Sequence, residues 1–396
     1  MTRNRATTPL AMVYETMPPT GGGGSAPRGN AFARAAAANG SFGPITVHTT
    51  TSAPSSIDGV NLHSVGGQSD QRQGLMRRLA GEALFGLRVA YQVLRSGKDT
   101  VWLISTPSYV AMLLASFAAR VVGSRYALDV RDIYPQVYVA AGLISPQGPV
   151  AKLSTFLSKR AYSGALTILT ATDGLEKTLW EIVPSAEIHT VINGFSVDRA
   201  SLIPSTRERF TVCFHGVLGY FQDSAAVLEV GRRLEQHDID LVVIGYGRDA
   251  HLFEGTKAKN VKFLGRLPYD QTMQEVARCH VGLSLRKDEE ISADSFPVKV
   301  WEYLGFGMPT LVAPRSDAGE FVDKNGCGIV LDAGDVEGAV SFILALRDNP
   351  EMYKAMSERA LSAVAPYSRA VQAGHAAQIL AAATRDFREP HVLIAP

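Results

Sequence analysis

Short apolar runs alternate with longer amphipathic segments through the first half of the chain. The apolar runs predict strands at residues 11–15, 45–50, 101–105, 126–130, 166–170 and 188–192. The segments between them predict helices near residues 28–39, 72–96, 108–122, 148–162 and 173–182. Strands and helices in alternation are typical of a parallel sheet with right-handed crossover connections.

The second half of the chain repeats this pattern. Its apolar runs predict strands at residues 210–215, 241–244, 261–264, 281–285, 310–313 and 328–331, and a last helix is predicted over residues 369–386. The repetition predicts an α/β protein with two Rossmann-like, parallel-sheet domains. We expect the first domain at residues 1–193, a linker with Pro204 at 194–209, the second domain at 210–368, and a helix and tail at 369–396.

The segment from residue 281 to residue 313 contains the strongest candidate site. A predicted strand at 281–285 leads to Pro297, which suits the first turn of a helix because its missing N–H would have no partner there. Ligands collect at the carboxyl ends of parallel strands, and the amides that begin a helix bind phosphate. Lys299 adds a positive charge, and Glu302 can accept hydrogen bonds from sugar hydroxyls. The segment therefore predicts a site for a phosphorylated ribose.

Composition indicates a globular protein of about two domains, since 46% of the 396 residues are hydrophobic and 19% are charged. The net charge of +1 gives no argument for nucleic-acid binding, and none is predicted. Residues 1–190 contain 17 Lys and Arg against 11 Asp and Glu, whereas the remainder contains 22 against 27. We therefore expect the first half of the chain to be the half that binds an anionic surface or an anionic acceptor substrate. The alternative is that the charge asymmetry arose by chance.

Cysteine use and hydropathy predict where the protein resides. The widely spaced Cys213, Cys279 and Cys327 suggest neither a disulfide framework nor a metal site, so we expect a cytoplasmic protein. No signal peptide is predicted, because only a short apolar run follows the basic start. The uncharged run 101–119 is nearly long enough to span a bilayer, but Pro107 and several hydroxyl residues divide it into a strand and a helix.

Four consecutive glycines follow the first predicted strand. Gly22 and Gly23 are candidates to line a cleft, where their amides could approach a phosphate or an acceptor. The loop also satisfies a loose G-x-G-x-x-A, but the second predicted strand does not end in the acidic residue of a nicotinamide-binding dehydrogenase. A simple flexible turn is the alternative.

Two carboxylates flank an arginine at the end of the strand 126–130. Asp132 could accept the proton of an acceptor hydroxyl, and Arg131 could hold a phosphate through its two-pronged guanidinium. A structural ion pair that includes Asp129 is the alternative.

The helix predicted over residues 72–96 carries Arg77, Arg88 and Arg95 on one face, with Leu84 and Tyr91 between them. We expect the opposite stripe to face the core: Met76, Leu79, Ala83, Leu87, Ala90 and Leu94. A basic and partly apolar stripe could lie on anionic lipid. An ordinary solvated face is the alternative.

Several motifs resemble, in their order and spacing, a known enzyme family. The segment from Pro297 to Pro309 is similar to the Pro-x-Lys-x-x-Glu-Tyr-Leu-x-x-Gly-x-Pro signature of retaining glycosyltransferases of family 4, which have the GT-B fold. Further similar landmarks are the loop 21–24 with Arg28, Asp129-Val-Arg-Asp-Ile-Tyr-Pro135, Asn193-Gly194, His215-Gly-Val-Leu-Gly219, Gly245-Tyr-Gly247, Phe263-Leu-Gly-Arg266 and Gly319-Glu320. The Arg-Asp-Ile-Tyr-Pro element resembles a bacterial branch that adds sugars such as N-acetyl-fucosamine to cell-surface polysaccharide precursors.

The resemblance implies two domains that face a cleft and a C-terminal helix that crosses back to the first domain. It implies a donor site in the second domain, where Glu302 binds the ribose and the backbone of Arg266 and Leu267 meets the base. The resemblance also implies that Gly219 belongs to this donor site. Asp294 stands where many relatives have a glutamate near the donor sugar, although a solvated loop acid is the alternative.

The chain departs from the resembled family at the donor diphosphate. Many members have an arginine and a lysine where this chain has Val217 and Gln222. We therefore expect Lys299, backbone amides and Arg286 to supply the compensating charge. His215 ends the predicted strand 210–215 and could be either a residue that contacts the donor or a packed core residue.

Together these features predict a glycosyltransferase that moves a sugar from a nucleotide-sugar donor, UDP-linked, to a polyprenyl-diphosphate-linked or polysaccharide acceptor, with retention. No cofactor and no metal are predicted, and we expect a cytoplasmic enzyme that is peripheral on the inner face of the plasma membrane. Catalytic roles are expected for Asp132, Arg131 and Lys299, and acceptor-loop roles for Gly22, Gly23 and Arg28. A nucleotide-sugar epimerase of the same fold and a catalytically silent subunit that binds nucleotide or lipid remain open as alternatives.

Overall fold

The chain forms two compact units. The computed structural model describes residues 7–18, 25–52, 54–66, 75–106, 108–140, 142–195, 208–219, 221–288 and 296–386, except for the side chains of residues 25 and 75–79. The first unit extends to Ile192 and includes the C-terminal helix from Arg369. The second unit extends from Asn193 to Ser368.

The first unit is built on a parallel sheet. Its strands are β1 (Thr8–Val13), β2 (Phe42–Thr49), β3 (Val60–Ser64), β4 (Val101–Ser105), β5 (Arg125–Val130), β6 (Ile168–Thr170) and β7 (Ile188–Thr190). Their order is β3-β2-β1-β4-β5-β6-β7, with every neighbouring pair parallel. The sequence pattern did not predict β3, because this edge strand is partly exposed and has no continuous apolar run.

Helices cover both faces of the first sheet. They are α1 (Ser25–Asn39), α2 (Leu75–Ser96), α3 (Tyr109–Val122), α4 (Gln136–Ala140), α5 (Pro149–Tyr162) and α6 (Asp173–Ile182). Buried side chains of α2, α3, α5 and α6 share one core with Trp102 and Ile104 of β4. The helix α1 and the C-terminal helix (Arg369–Asp386) share the other core with Val101 and Leu103. The C-terminal helix therefore belongs to the first unit, as the resemblance implied.

The second unit is a parallel sheet of its own. Its strands are β8 (Thr211–Val217), β9 (Asp240–Tyr246), β10 (Val261–Phe263), β11 (Val281–Leu285), β12 (Thr310–Ala313) and β13 (Gly328–Val330), in the order β10-β9-β8-β11-β12-β13. Its helices are α7 (Ser224–Leu234), α8 (His251–Glu254), α9 (Tyr269–Val276), α10 (Val298–Gly305), α11 (Asp317–Lys324), α12 (Val336–Asp348) and α13 (Pro350–Val364). Two Rossmann-like units with parallel sheets confirm the predicted fold class.

The predicted core-facing stripe of α2 is wrong in part. Leu87 and Leu94 are 59% and 48% exposed, whereas Phe85, Val89 and Val93 are fully buried. The helix has apolar residues on more than one face, so spacing alone did not identify the buried face. The outer face of α2 is therefore more apolar than the predicted arginine stripe suggested.

The uncharged run 101–119 forms β4 and most of α3, as predicted. The strand β4 is buried along its whole length, which accounts for its unbroken apolar sequence. Within the described residues, no helix combines the length and apolar character needed to cross a bilayer.

A buried carboxylate holds together the carboxyl ends of three strands in the first unit. Asp129 ends β5 with 0% exposure, and Arg28 of α1 donates from Nη2 to its Oδ1 at 2.8 Å. Tyr14, after β1, and Ser105, at the end of β4, each donate to Asp129 Oδ2 at 2.9 Å. Arg28 Nη1 also donates to the carbonyl oxygen of Val191 at 2.8 Å. These bonds satisfy the carboxylate inside the unit.

Burial alone would raise the pKa of Asp129, but the charge and hydrogen bonds of Arg28, together with Tyr14, hold this pKa below its usual value. The carboxyl group is therefore ionised at neutral pH. Its contribution to stability is present above the pKa of an unfolded aspartate and is lost as the pH falls through the lower folded value. The predicted alternative of a structural ion pair holds for Asp129, but its partner is the distant Arg28.

We expect Arg28→Met to lower the free energy of unfolding by about 3–5 kcal/mol, because it leaves the Asp129 charge buried without its ion-pair partner. Urea denaturation near neutral pH measures this loss. Arg34→Met is the matched control, since Arg34 lies on the exposed face of α1 and its Nε bonds to Asn30. That change should stay within about 0.5 kcal/mol. Equal losses for the two variants would show that the ion pair contributes nothing.

Candidate active site

The strand order of the second sheet reverses between β8 and β11. At such a point the connections leave the two strands toward opposite faces, and a crevice opens outside their carboxyl ends. The strand β8 ends at Val217, and β11 ends at Leu285, directly before Arg286. This crevice is where an open parallel sheet binds its ligands.

Glycines allow the backbone at the carboxyl ends of β8 and β9, and directly after them, to come very close together. A Cβ atom at Gly245 would lie 2.0 Å from the carbonyl oxygen of Gly216, and one at Gly247 would lie 2.0 Å from that of Leu218. Gly219, a predicted donor-site residue, has a φ of 114°, which side-chain-bearing residues rarely adopt. Backbone rather than side chains therefore forms this part of the crevice.

The helix α10 packs tightly against β11 and is buried over nearly its whole length. A Cβ atom at Gly282 of β11 would lie 2.2 Å from the Tyr303 ring, so the missing side chain permits this approach. The Tyr303 hydroxyl accepts a hydrogen bond from the backbone N–H of His215 at 3.1 Å, which ties α10 to β8. Pro297 is the N-cap residue of α10, with an extended ψ of 132°. The prediction that Pro297 lies in the first turn is therefore wrong, because the helix begins at Val298.

Helix α10 places Lys299 at the carboxyl end of β8, with only 8% of the residue exposed. Its Nζ donates to Gln222 Oε1 at 3.0 Å and lies 3.7 Å from the centre of the Phe214 ring. A Cβ atom at Gly216 would lie 3.5 Å from this Nζ. The ammonium group is therefore held by a neutral amide and a ring face.

The electrostatic surroundings of Lys299 disfavour its charged form. Burial and, after it, the charge of Arg286 lower the pKa of Lys299 from the usual lysine value to about 7, although Glu302 opposes the shift. A lysine so perturbed in a crevice marks a candidate functional site. A bound anion would reverse the balance, because it would favour the ammonium form.

Glu302 lies one turn beyond Lys299 and is 2% exposed. It accepts a hydrogen bond from the Tyr269 hydroxyl at 2.8 Å, and its Oε2 lies 3.3 Å from His215 Nε2. Burial, with Lys299 acting in the same direction, lowers the pKa of His215 to about 3. The imidazole is therefore neutral at physiological pH, and its contact with Glu302 is not an ion pair.

The loop after β8 runs against the segment after β11. Gln222 and Arg286 form an antiparallel bridge, and the Lys287 N–H donates to the carbonyl oxygen of Phe221 at 3.0 Å. This pairing brings Gln222 to the Nζ of Lys299 and places the charge of Arg286 near enough to shift the pKa of that lysine. One of the two positions that depart from the resembled family, Gln222, thus borders both cations.

Two further predicted donor-site residues follow β10. Arg266 is exposed, with its guanidinium carbon 4.5 Å above the centre of the Tyr246 ring. Leu267 is partly buried and, like Tyr269, packs against a core cluster that includes Tyr303. Sequence reasoning did not select Tyr269 as a candidate, although it follows the Phe263-Leu-Gly-Arg266 motif by three residues and bonds directly to Glu302.

The predicted catalytic residues of the first unit follow β5. Arg131 and Asp132 are half-buried, and the Arg131 N–H donates to Thr106 Oγ1 at 2.9 Å. Arg28 was predicted to act beside the glycine loop, but its guanidinium bonds to Asp129 and Val191 inside the unit. Its side chain is 1% exposed, so it acts here as a structural group.

Three predicted site residues, Gly22, Gly23 and Asp294, lie outside the described residues. Across the part of the chain that the structure describes, no group of three or more His, Cys, Asp or Glu side chains is arranged to hold a metal ion.

Comparison with known proteins identifies the second unit. Residues 201–362 match the family described as glycosyl transferases group 1. The chain thus contains a glycosyltransferase group 1 domain, which confirms the prediction of a nucleotide-sugar-dependent glycosyltransferase. No curated protein matches the sequence significantly.

Solved structures resemble the whole chain. HepE of Anabaena, in complex with UDP-glucose, has a TM-score of 0.69 at 14% identity, over 95% of this chain and 100% of HepE. WaaG, a glycosyltransferase involved in lipopolysaccharide biosynthesis, has a TM-score of 0.69 at 15% identity, over 93% and 99% of the two chains. Sucrose-phosphate synthase from Thermosynechococcus elongatus has a TM-score of 0.72 at 11% identity, over 96% and 99%. These similarities confirm the predicted GT-B fold.

We expect Lys299→Met to raise the free energy of unfolding by about 2–3 kcal/mol near pH 6. At that pH the folded parent keeps a charged lysine buried, and the substitution removes this desolvation cost. The unfolded chain binds a proton there up to about pH 10, whereas the folded chain loses it near pH 7. The parent should therefore gain stability as the pH rises between these values, and the advantage of the variant should shrink.

Urea denaturation at several pH values measures both effects. Lys324→Met is the control, since Lys324 lies on the exposed surface of α11 and should change stability by less than about 0.5 kcal/mol at every pH. A Lys299→Met variant that is no more stable than the parent near pH 6 would contradict the inference that the folded protein disfavours the charged form of Lys299.

Proposed function

We propose that this protein transfers a sugar, with retention of anomeric configuration, from a UDP-linked donor to a lipid-linked or polysaccharide acceptor of the cell surface. The observation that carries the proposal is the grouping of Lys299, Arg286 and Glu302 at the carboxyl ends of β8 and β11. Two cations suit a diphosphate, and a buried carboxylate suits ribose hydroxyls. The UDP-glucose bound by HepE, a structure of the same fold, supports this class of donor.

The proposed roles in donor binding follow from position. Glu302 accepts hydrogen bonds from the ribose hydroxyls, and Tyr269 orients its carboxylate. The backbone at Arg266 and Leu267 meets the base. Lys299 and Arg286 bind the diphosphate together with backbone amides near Gly219, so that no metal is required for charge compensation.

The proposed chemistry is displacement at the anomeric carbon of the donor sugar. The bond from this carbon to the diphosphate oxygen breaks, its electron pair leaves with the diphosphate, and an acceptor hydroxyl oxygen bonds to the carbon on the same face. Asp132 is the proposed acceptor of the hydroxyl proton, and Arg131 the proposed partner of an acceptor phosphate. Negative charge grows on the leaving group, so protonated Lys299 stabilises the transition state more than the bound donor.

The acceptor and the location belong to the same proposal. WaaG, which shares the fold, is involved in lipopolysaccharide biosynthesis, and the Arg131-Asp-Ile-Tyr-Pro135 element resembles a branch that acts on surface-polysaccharide precursors. We therefore propose a polyprenyl-diphosphate-linked or polysaccharide acceptor, and a peripheral enzyme at the inner face of the plasma membrane.

We expect Glu302→Ala to weaken UDP binding by about 1–3 kcal/mol, because the ribose hydroxyls lose their buried acceptor. Titration calorimetry with UDP measures the change. Glu358→Ala, an exposed acid on α13, is the control and should bind UDP as the parent does. Unchanged affinity in Glu302→Ala would remove this residue from the nucleotide site.

The test of the proposed function follows nucleoside diphosphate release from a panel of nucleotide sugars, with and without extracted lipid-linked acceptors. We expect Lys299→Met to lower kcat by about 10²–10³-fold, the scale for losing one preorganised charge-stabilising group, with a smaller rise in KM. The loss of kcat in Arg286→Met, measured in parallel, should show which of the two cations contributes more to stabilising the leaving diphosphate. Lys324→Met is the control and should be fully active.

Several outcomes separate the proposal from its rivals. If both cation variants turn over normally, the diphosphate is held elsewhere. If the parent binds UDP but releases no diphosphate with any donor and acceptor, the chain is a silent nucleotide-binding subunit. If the parent interconverts nucleotide sugars without an acceptor, it is an epimerase.

A further inference from the structure

Three neighbouring helices of the first unit expose an unusual amount of apolar surface. The described side chains of α2, α3 and α5 include Leu87 and Tyr91, Phe117 and Val121, and Leu153 and Phe156. Each of these six is between 55% and 69% exposed. Exposed apolar residues that occur singly are ordinary, but a contiguous group marks an interaction site. We call the outer face of these three helices the apolar–basic face.

The three helices lie side by side on one face of the first sheet. A Cβ atom at Gly86 of α2 would lie 3.1 Å from the Cα atom of Ala111 of α3, so the two helices touch at small residues. The Tyr109 hydroxyl of α3 donates to the carbonyl oxygen of Ser154 of α5 at 3.0 Å. Near the other end of α3, Arg120 Nη2 donates to the carbonyl oxygen of Arg160 at 2.5 Å. The outer sides of the helices therefore form one continuous surface.

The charge of this face has one sign. The three helices contain eight Lys and Arg and one acidic residue, Glu82. Glu82 is 2% exposed and accepts a hydrogen bond from Tyr138, so it does not offset the positive charge of the outer face. The exposed basic side chains that the structure describes on these helices are Arg88, Arg95, Arg120, Lys152, Lys159 and Arg160.

The net charge of these helices, +7, exceeds the +6 of all residues 1–190. The basic excess of the first half is therefore located on these three helices. The next helix on the same side of the sheet, α6, is acidic: it contains Asp173, Glu176 and Glu181 against one lysine, although its Trp180 is 51% exposed.

We propose that the apolar–basic face binds the surface of an anionic lipid bilayer. Exposed apolar side chains that enter the acyl boundary, with Lys and Arg beside them that pair with anionic headgroups, are the features of a protein that lies on a membrane. A second copy of the chain is a poor occupant, because a twofold interface would bring the same basic residues of both copies together. The inference deepens the proposed function, since a lipid-linked acceptor requires an enzyme at the membrane.

Co-sedimentation of the full chain with vesicles tests this proposal without donor, acceptor or sugar transfer, so its failure is distinct from failure of the proposed chemistry. Vesicles of phosphatidylcholine alone are compared with vesicles that contain roughly 30% phosphatidylglycerol. We expect binding to the anionic vesicles alone, weakened strongly between about 0.05 and about 0.5 M salt.

Two sets of substitutions separate the apolar and the electrostatic contributions. Lys152→Gln, Lys159→Gln and Arg160→Gln combined should lower the partition coefficient by about 100-fold, at about five-fold for each charge. Phe117→Ser and Phe156→Ser combined should lower it by at least about ten-fold, because less apolar surface enters the bilayer. All five positions are exposed, so the variants should retain the parent's unfolding midpoint and UDP affinity.

Trp180→Ser is the matched control, since it removes an exposed aromatic residue from the acidic helix α6, and it should bind vesicles as the parent does. The proposal is overturned if the parent does not bind anionic vesicles, or if the two combined variants bind them as well as the parent. It is also overturned if the parent sediments as a dimer that the Phe variants dissociate while vesicle binding is absent, which would assign the face to a second copy.

Discussion

The burial of one ammonium group determines the electrostatic balance of the crevice in the second unit. Lys299 is held in the crevice by the tight packing of α10 on β11, which depends on Gly282, and by the ring of Phe214. Its hydrogen-bond acceptor Gln222 is neutral, and the cation Arg286 is near. The folded chain therefore bears an electrostatic cost that an anionic ligand would relieve. Such a site is organised before its ligand arrives.

The departure at Gln222 is consistent with this balance. A lysine at this position would add a further cation beside Lys299 and Arg286, and its charge would lower the pKa of Lys299 further. The neutral amide of Gln222 instead accepts a hydrogen bond from the ammonium group.

Hydrophobic periodicity in the sequence was sufficient to predict the strands of both parallel sheets except the exposed edge strand β3, because strands such as β4 are buried on both faces and have unbroken apolar sequences. The spacing of residues was also sufficient to place Lys299 and Glu302 on one helix. They were not sufficient for contacts between distant segments. Arg28 and Asp129 are separated by 101 positions, and no local pattern indicates their pairing. The prediction of the buried face of α2 was wrong for a related reason. Both candidate faces of this helix are apolar, and only tertiary packing determines that Phe85 and Val89 are buried while Leu87 is exposed.

The helices on the outer surface of the first unit have more apolar residues than their core contacts bury. A helix whose apolar residues exceed what its core contact requires must leave some of them in water, which favours a partner that removes them. On α2, α3 and α5 this excess coincides with almost all of the positive charge that distinguishes the first half of the chain. Apolar contact and charge would then act on one partner, whereas a purely apolar face would not discriminate an anionic bilayer from another protein. The chain thus concentrates positive charge in two separate places, at the crevice of the second unit and on the outer helices of the first.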